Sequence, residues 1–99
     1  MAEQYDLYRM AEGDYVVVLQ SDLLDALNTR AVCLAIPEGA VVPALPALSP
    51  ILTVGDIRLR LAPHVVATLT LGELGTFVAN LSHERDRIIR AFDLMVTGL

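Results

Sequence analysis

Residues 31–37 read AVCLAIP, and this stretch decides what kind of fold the chain can build. Successive side chains of a strand point to opposite faces, which puts Val32, Leu34 and Ile36 on one side and Ala31, Cys33 and Ala35 on the other. Both sides are apolar. Such a strand is covered on both faces and belongs at the centre of a sheet. Upstream, YVVVLQ at 15–20 is a β-branched run of the same doubly buried character. Residues 5–10 predict a first short strand that ends in the turn-prone Glu12-Gly13-Asp14. QSDLLDALNTR, at 20–30, leads into the central strand.

Downstream, the segment 38–50 (EGAVVPALPALSP) holds three prolines, Pro43, Pro46 and Pro50, which forbid a regular helix or a central strand. It is expected to be an extended, partly buried loop. PILTVGD then turns at Gly55-Asp56 into IRLRLA, where Ile57, Leu59 and Leu61 alternate with outward Arg58 and Arg60. HVVATLTL at 64–71 alternates as a further strand, GELG is a turn, and TFVANL is a last short strand. The one helix is expected from Ser82, with the serine hydroxyl as N-cap and Glu84 at the positive end of the helix dipole. Ile88, Ala91, Phe92, Met95 and Leu99 form its apolar face. Asp86 and Arg90, four apart, are placed to pair on the wet face. Strands followed by one terminal helix describe a mainly β domain, either a small barrel or a compact sheet with a helix attached.

Ninety-nine residues make a single domain, 1–99. A chain of this size buries roughly 60–70% of its surface, so 55% hydrophobic content leaves a surplus that points to self-association. A membrane span is excluded as the explanation. The longest stretch without an ionisable residue, 39–55, is broken by prolines and falls short of the ~20 residues a span needs. The first residues, MAEQYDLYRM, lack the basic and apolar regions of a signal peptide, which gives a cytoplasmic expectation. Net charge is −5 and every basic residue is an arginine, a balance that argues against direct nucleic-acid binding.

The candidate chemistry is thin. Ser82 and His83 are neighbours at a helix start and point in different directions, unlike a nucleophile and its base. His64, His83 and Cys33 lack metal-ligand spacing, so no metal or other cofactor is expected. Cys33 reads as a small core residue. Arg58 and Arg60 read as a solvated strand face, the alternative being a grip on phosphate. Gly72 and Gly75 are turn glycines. No catalytic residue emerges, and the chain reads as a protein without enzymatic activity. Its interface-like features are the apolar excess and the terminus Met95 to Leu99, which stays apolar where chain ends are usually polar.

Two stretches, VVVLQSDLLDALNTRAVCLAIP (16–37) and NLSHERDRIIRAFDLMVTGL (80–99), resemble the CcdB toxins of toxin–antitoxin modules. The similarity is carried by Gln20-Ser21-Asp22 with the following Leu-Leu-Asp, by the strand ending in Ile36-Pro37, by Leu81-Ser82-His83, and by Asp93-Leu94-Met95 with Gly98. It implies an SH3-like barrel of CcdB/MazF type: a five-stranded antiparallel sheet, a small wing sheet and a long C-terminal helix. It also implies a homodimer, for which Met95 and Val96 are the interface candidates, and a toxin that binds the DNA gyrase A subunit and poisons the enzyme. A partner antitoxin with a disordered C-terminal segment would neutralise it, with autoregulation of transcription. The family's gyrase contact is a terminal Trp-Gly-Ile, and the matching places here are Thr97, Gly98 and Leu99. Threonine in place of tryptophan removes an aromatic contact of hot-spot type. The alternatives are a CcdB-like dimer with weakened or lost toxicity that keeps its antitoxin, and an endoribonuclease on the same barrel.

Overall fold

The computed structural model describes residues 2–39 and 49–98. The extended loop expected at 38–50 lies, over 40–48, outside the described residues, as does Leu99. Six strands, β1 (Asp6–Arg9), β2 (Tyr15–Val18), β3 (Thr29–Pro37), β4 (Ile51–Val54), β5 (Ile57–Thr70) and β6 (Thr76–Asn80), precede one helix, α1 (Arg85–Thr97). All pairings are antiparallel, in the order β4-β5-β3-β2-β1-β6. This is the mainly β, barrel-like sheet with a C-terminal helix that the sequence implies. The wing expected as a separate small sheet joins the same hydrogen-bonded series.

β3 is central, as AVCLAIP requires. Cys33 and Ala35 face the main core with Leu7, Val17, Leu52, Leu59, Leu61 and Leu81, beneath Ile88 and Ala91 of α1. Val32 faces the opposite way, into a second cluster with Ala2, Val16 and Val18. Burying the Cys33 thiol leaves its thiolate without water, which pushes its pKa up to about 12. A thiol reagent is therefore expected to spare Cys33 in the native protein over the time in which it labels the denatured chain. Equal rates in the two states would place the thiol at the surface instead.

The run 64–71 is not a separate strand. β5 continues through it, and its register against β3 jumps from Leu34↔Ala62 to Cys33↔Val66, so Pro63, His64 and Val65 are extra. A proline cannot donate to a ladder and is accommodated at such a bulge, which bends the strand and deepens its twist. The bend lets one long strand serve both halves of the sheet.

The helix start also differs from expectation. Ser82 does not cap it; the Asn80 Oδ1 accepts from the Ser82 N–H at 3.0 Å, and a short 3₁₀ turn (Ser82–Glu84) precedes α1. The same Asn80 amide donates to the Gln4 carbonyl at 3.2 Å and to Asp6 Oδ1 at 2.9 Å, which ties the beginning of the chain to the helix. Among the described residues the ion pair at this end joins Arg87 to Glu84 at 3.1 Å, not Asp86 to Arg90. Glu84 in the preceding turn is the nearer partner, three positions back.

Candidate functional site

The end of α1 is built outward from its buried turns. Ile88 and Ala91 are fully buried and Phe92 is half-buried, but the apolar stripe then leaves the core. Met95 is 37% exposed and Val96 75%. Thr97 donates its hydroxyl to the Asp93 carbonyl at 2.7 Å. Gly98 closes the helix in the left-handed region (φ 74°), its N–H donating to the Leu94 carbonyl at 2.9 Å. Glycine adopts that conformation without strain. Thr97 and Gly98 therefore stand exposed at a finished helix end, beside Met95 and Val96.

Sequence patterning misses a second apolar feature. In the segment after β2, Leu23 is 93% exposed, with Leu24 and Leu27 about half exposed. Ser21 caps its 3₁₀ turn by accepting from the Leu23 N–H, and Gln20 donates to the Leu24 and Thr29 carbonyls. Asp22 accepts from the Gln4 N–H at 2.8 Å. Gln4 in turn borders a groove of about 220 Å³ with Tyr5, Leu19, Ile88, Ile89, Phe92 and Asp93. Exposed leucines on a well-tethered segment are the informative exception to burial. Tyr5, on the groove wall, is held at φ 70°, rare for a bulky residue, by bonds to Val18 and Leu81. The leucine pair of LLD was the available signal.

Arg58 and Arg60 are not an isolated strand face. Arg87 of α1 joins them around an open cleft of about 580 Å³, with Ser49, Pro50, Ile51 and Thr53. Ser82 and His83 are both exposed in the turn before α1. Among the described residues no group of three or more His, Cys, Asp or Glu side chains is arranged to hold a metal ion, and no helix is long and apolar enough to cross a membrane.

A family model described as CcdB protein matches residues 4–98. The chain belongs to the CcdB family. A comparison with curated proteins gives no match to this CcdB-family chain. Among solved structures, it is similar to an endoribonuclease in complex with its cognate antitoxin from mycobacterial species, at TM-score 0.79 and 11% identity, over 100% of this chain and 97% of the other. It is also similar to an endoribonuclease from mycobacterial species, at TM-score 0.77 and 12% identity, over 98% and 91% of the two chains. At such identity the likeness is one of fold. It nevertheless corrects the expectation of a chain without enzymatic activity, because two proteins on this CcdB-like barrel are named as enzymes. The physical reason is that a site can be assembled from residues far apart in sequence, with no local motif to announce it, just as Arg87 is brought to Arg58 and Arg60 only by the fold.

Proposed function

We propose that this CcdB-family chain is the toxin of a toxin–antitoxin pair, acting as a homodimer that grips the DNA gyrase A subunit with the end of α1. The observation that carries the reading is the exposed stretch Met95, Val96, Thr97, Gly98 beyond the last buried turn. A helix that needed these residues for folding would bury them. The exposed valines of β5, Val65 and Val66, supply apolar area for a second copy, and Met95 and Val96 are proposed to lie at its edge. A cognate antitoxin, of the kind bound by the first structural neighbour, would neutralise the dimer.

Thr97→Trp is expected to bind a gyrase A fragment more tightly than wild type. An aromatic ring at a cationic contact contributes roughly 1–2 kcal/mol, about tenfold in affinity. Deleting residues 97–99 should remove that binding and change stability by no more than ~1 kcal/mol, the scale of a helix-end hydrogen bond. Titration calorimetry with both variants, at a concentration where light scattering reports the dimer, is the test. No binding by either wild type or Thr97→Trp would remove the gyrase reading, and a monomer would remove the dimer.

A second reading, an endoribonuclease on the same barrel, is favoured by the names of the two structural neighbours and by the three-arginine cleft. Digestion of RNA by the purified protein, lost in Arg58→Gln, would establish it.

A further inference from the structure

β4 is at the end of the strand order, so among the described residues it has β5 on one side and no strand on the other. Its outer N–H and C=O groups are then a template for an extended chain. The cross-strand pairs Ile51↔Arg60 and Thr53↔Arg58 set Arg58 and Arg60 two residues apart on the cleft face of the β4-β5 hairpin, and Arg87 reaches the same cleft from α1. Three of the seven basic residues of a chain with net charge −5 thus line one cleft, and the carboxylates that pair with two of them, Glu38 and Glu84, stand outside its lining.

Each guanidinium is held from the side. Arg58 Nε meets Glu38 at 3.0 Å, Arg87 Nη1 meets Glu84 at 3.1 Å, and Arg60 Nη1 donates to the Ser49 carbonyl at 3.0 Å. A guanidinium has five N–H donors, so every one of the three keeps donors for an incoming anion while its side chain is already partly ordered.

We propose that the β4 edge and the Arg58–Arg60–Arg87 cleft bind an extended peptide segment carrying glutamates at alternating positions. Main-chain bonds to β4 would add the segment to the sheet, and its alternate side chains would then lie over the arginine face. The two-residue repeat of Arg58 and Arg60 matches the repeat of an added strand. Glutamate suits the distance better than aspartate, because an added strand stands two strand spacings from β5, roughly 9.6 Å, and the longer side chain meets a guanidinium part-way. A single-stranded RNA fits less well: the cleft offers no aromatic ring on which bases stack, and the chain as a whole repels a polyanion. The donor of the segment rests on the toxin–antitoxin reading; the site itself does not.

The probes are a labelled alternating Glu-Thr dodecapeptide, the same composition with its glutamates in one block, and a 12-nucleotide single-stranded RNA. Fluorescence anisotropy should show the alternating peptide binding most tightly. Arg58→Gln, which breaks an exposed ion pair, should weaken it about tenfold at unchanged melting temperature. Arg87→Gln, whose partner Glu84 is partly covered, should weaken it as much, with a melting temperature within a few degrees of wild type. Hydrogen exchange should show the outward amides of Ile51 and Thr53 gaining protection when the peptide binds. Equal affinity for the blocked peptide, undiminished binding by either arginine variant, unprotected Ile51 and Thr53 amides, or tighter binding of the RNA would each overturn the proposal. The same variants titrated against gyrase A separate the two readings: lost peptide binding with gyrase binding retained supports this site, and absent gyrase binding in every form counts against the gyrase target alone.

Discussion

Arg30→Met is expected to cost about 3 kcal/mol or more, a large part of the ~5–15 kcal/mol that holds a domain together. Arg30 is 1% exposed, and its partners are backbone carbonyls: Ala2 at 3.1 Å, Leu27 at 2.6 Å, Thr29 at 2.8 Å and Asp25 at 3.2 Å. Methionine would fill similar space and satisfy none of them. Each carbonyl left dry costs about 1–3 kcal/mol, and the costs do not simply add because the segment can open to water. That opening has a place. Asp25 and Leu27 belong to the segment bearing the exposed leucines, so proteolysis between β2 and β3 should accelerate before the rest of the sheet is lost. Arg30→Lys keeps the charge but gathers its donors on one nitrogen, and should recover less than half of the loss. Urea unfolding that finds Arg30→Met within 1 kcal/mol of wild type would mean these bonds are not what holds the segment.

Gly75→Ala is expected to cost about 2–3 kcal/mol, the usual range for forcing atoms into a packed site. A Cβ at Gly75 would run into the carbonyl of Arg9, with the Arg9 carbonyl carbon at 2.9 Å and Met10 Cα at 3.0 Å. These are backbone atoms, which cannot swing aside. They lie where β6 begins to pair with β1, Thr76 opposite Arg9, so the clash would push the edge strand off the sheet. Gly72 supplies the control, since a Cβ there meets nothing within 4 Å. Gly72→Ala should stay within about 0.5 kcal/mol of wild type. Equal thermal shifts for the two alanine variants would contradict the close approach.

The sheet was legible wherever burial left a two-residue period. AVCLAIP and YVVVLQ announce β3 and β2 because both faces of each are covered, and IRLRLA announces β5 because one face is wet. Where the partner is distant, the pattern is silent. HVVATLTL reads as its own strand because nothing local says that Pro63-His64-Val65 is an insertion in a continuous one. Ser82 looks like a cap because its type is right, yet no side chain caps α1, and Asn80, bonded at once to Gln4, Asp6 and Ser82, fixes the turn that leads into it. Arg30 reads as surface since arginine nearly always is. Gly75 reads as a turn glycine, and its closeness to Arg9 is a tertiary fact. At the helix end, the apolar tail is visible in the sequence, but whether Val96 is tucked into the core or left exposed is decided by how α1 docks. The convergence of Arg87 with Arg58 and Arg60 requires α1 to be docked on the sheet before it can be seen.

The Asn80 tether has a consequence for how the protein comes into being. Its partner Asp6 is 74 positions away, and β1 receives β6 along one side only after synthesis has passed Asn80. During synthesis, β2 can meet β3 and β4 can meet β5, but the partner for the outer side of β1 and the Ile88–Ala91 cover over the core emerge only after them. Contacts so distant in sequence form slowly and late. A ribosome that stops short of Asn80 therefore releases an open sheet with its core uncovered, a substrate for proteases and not a weaker version of the protein. Synthesis through α1 both covers the core and produces the exposed end at Met95 to Gly98, so stability and the display of that end arrive in the same step.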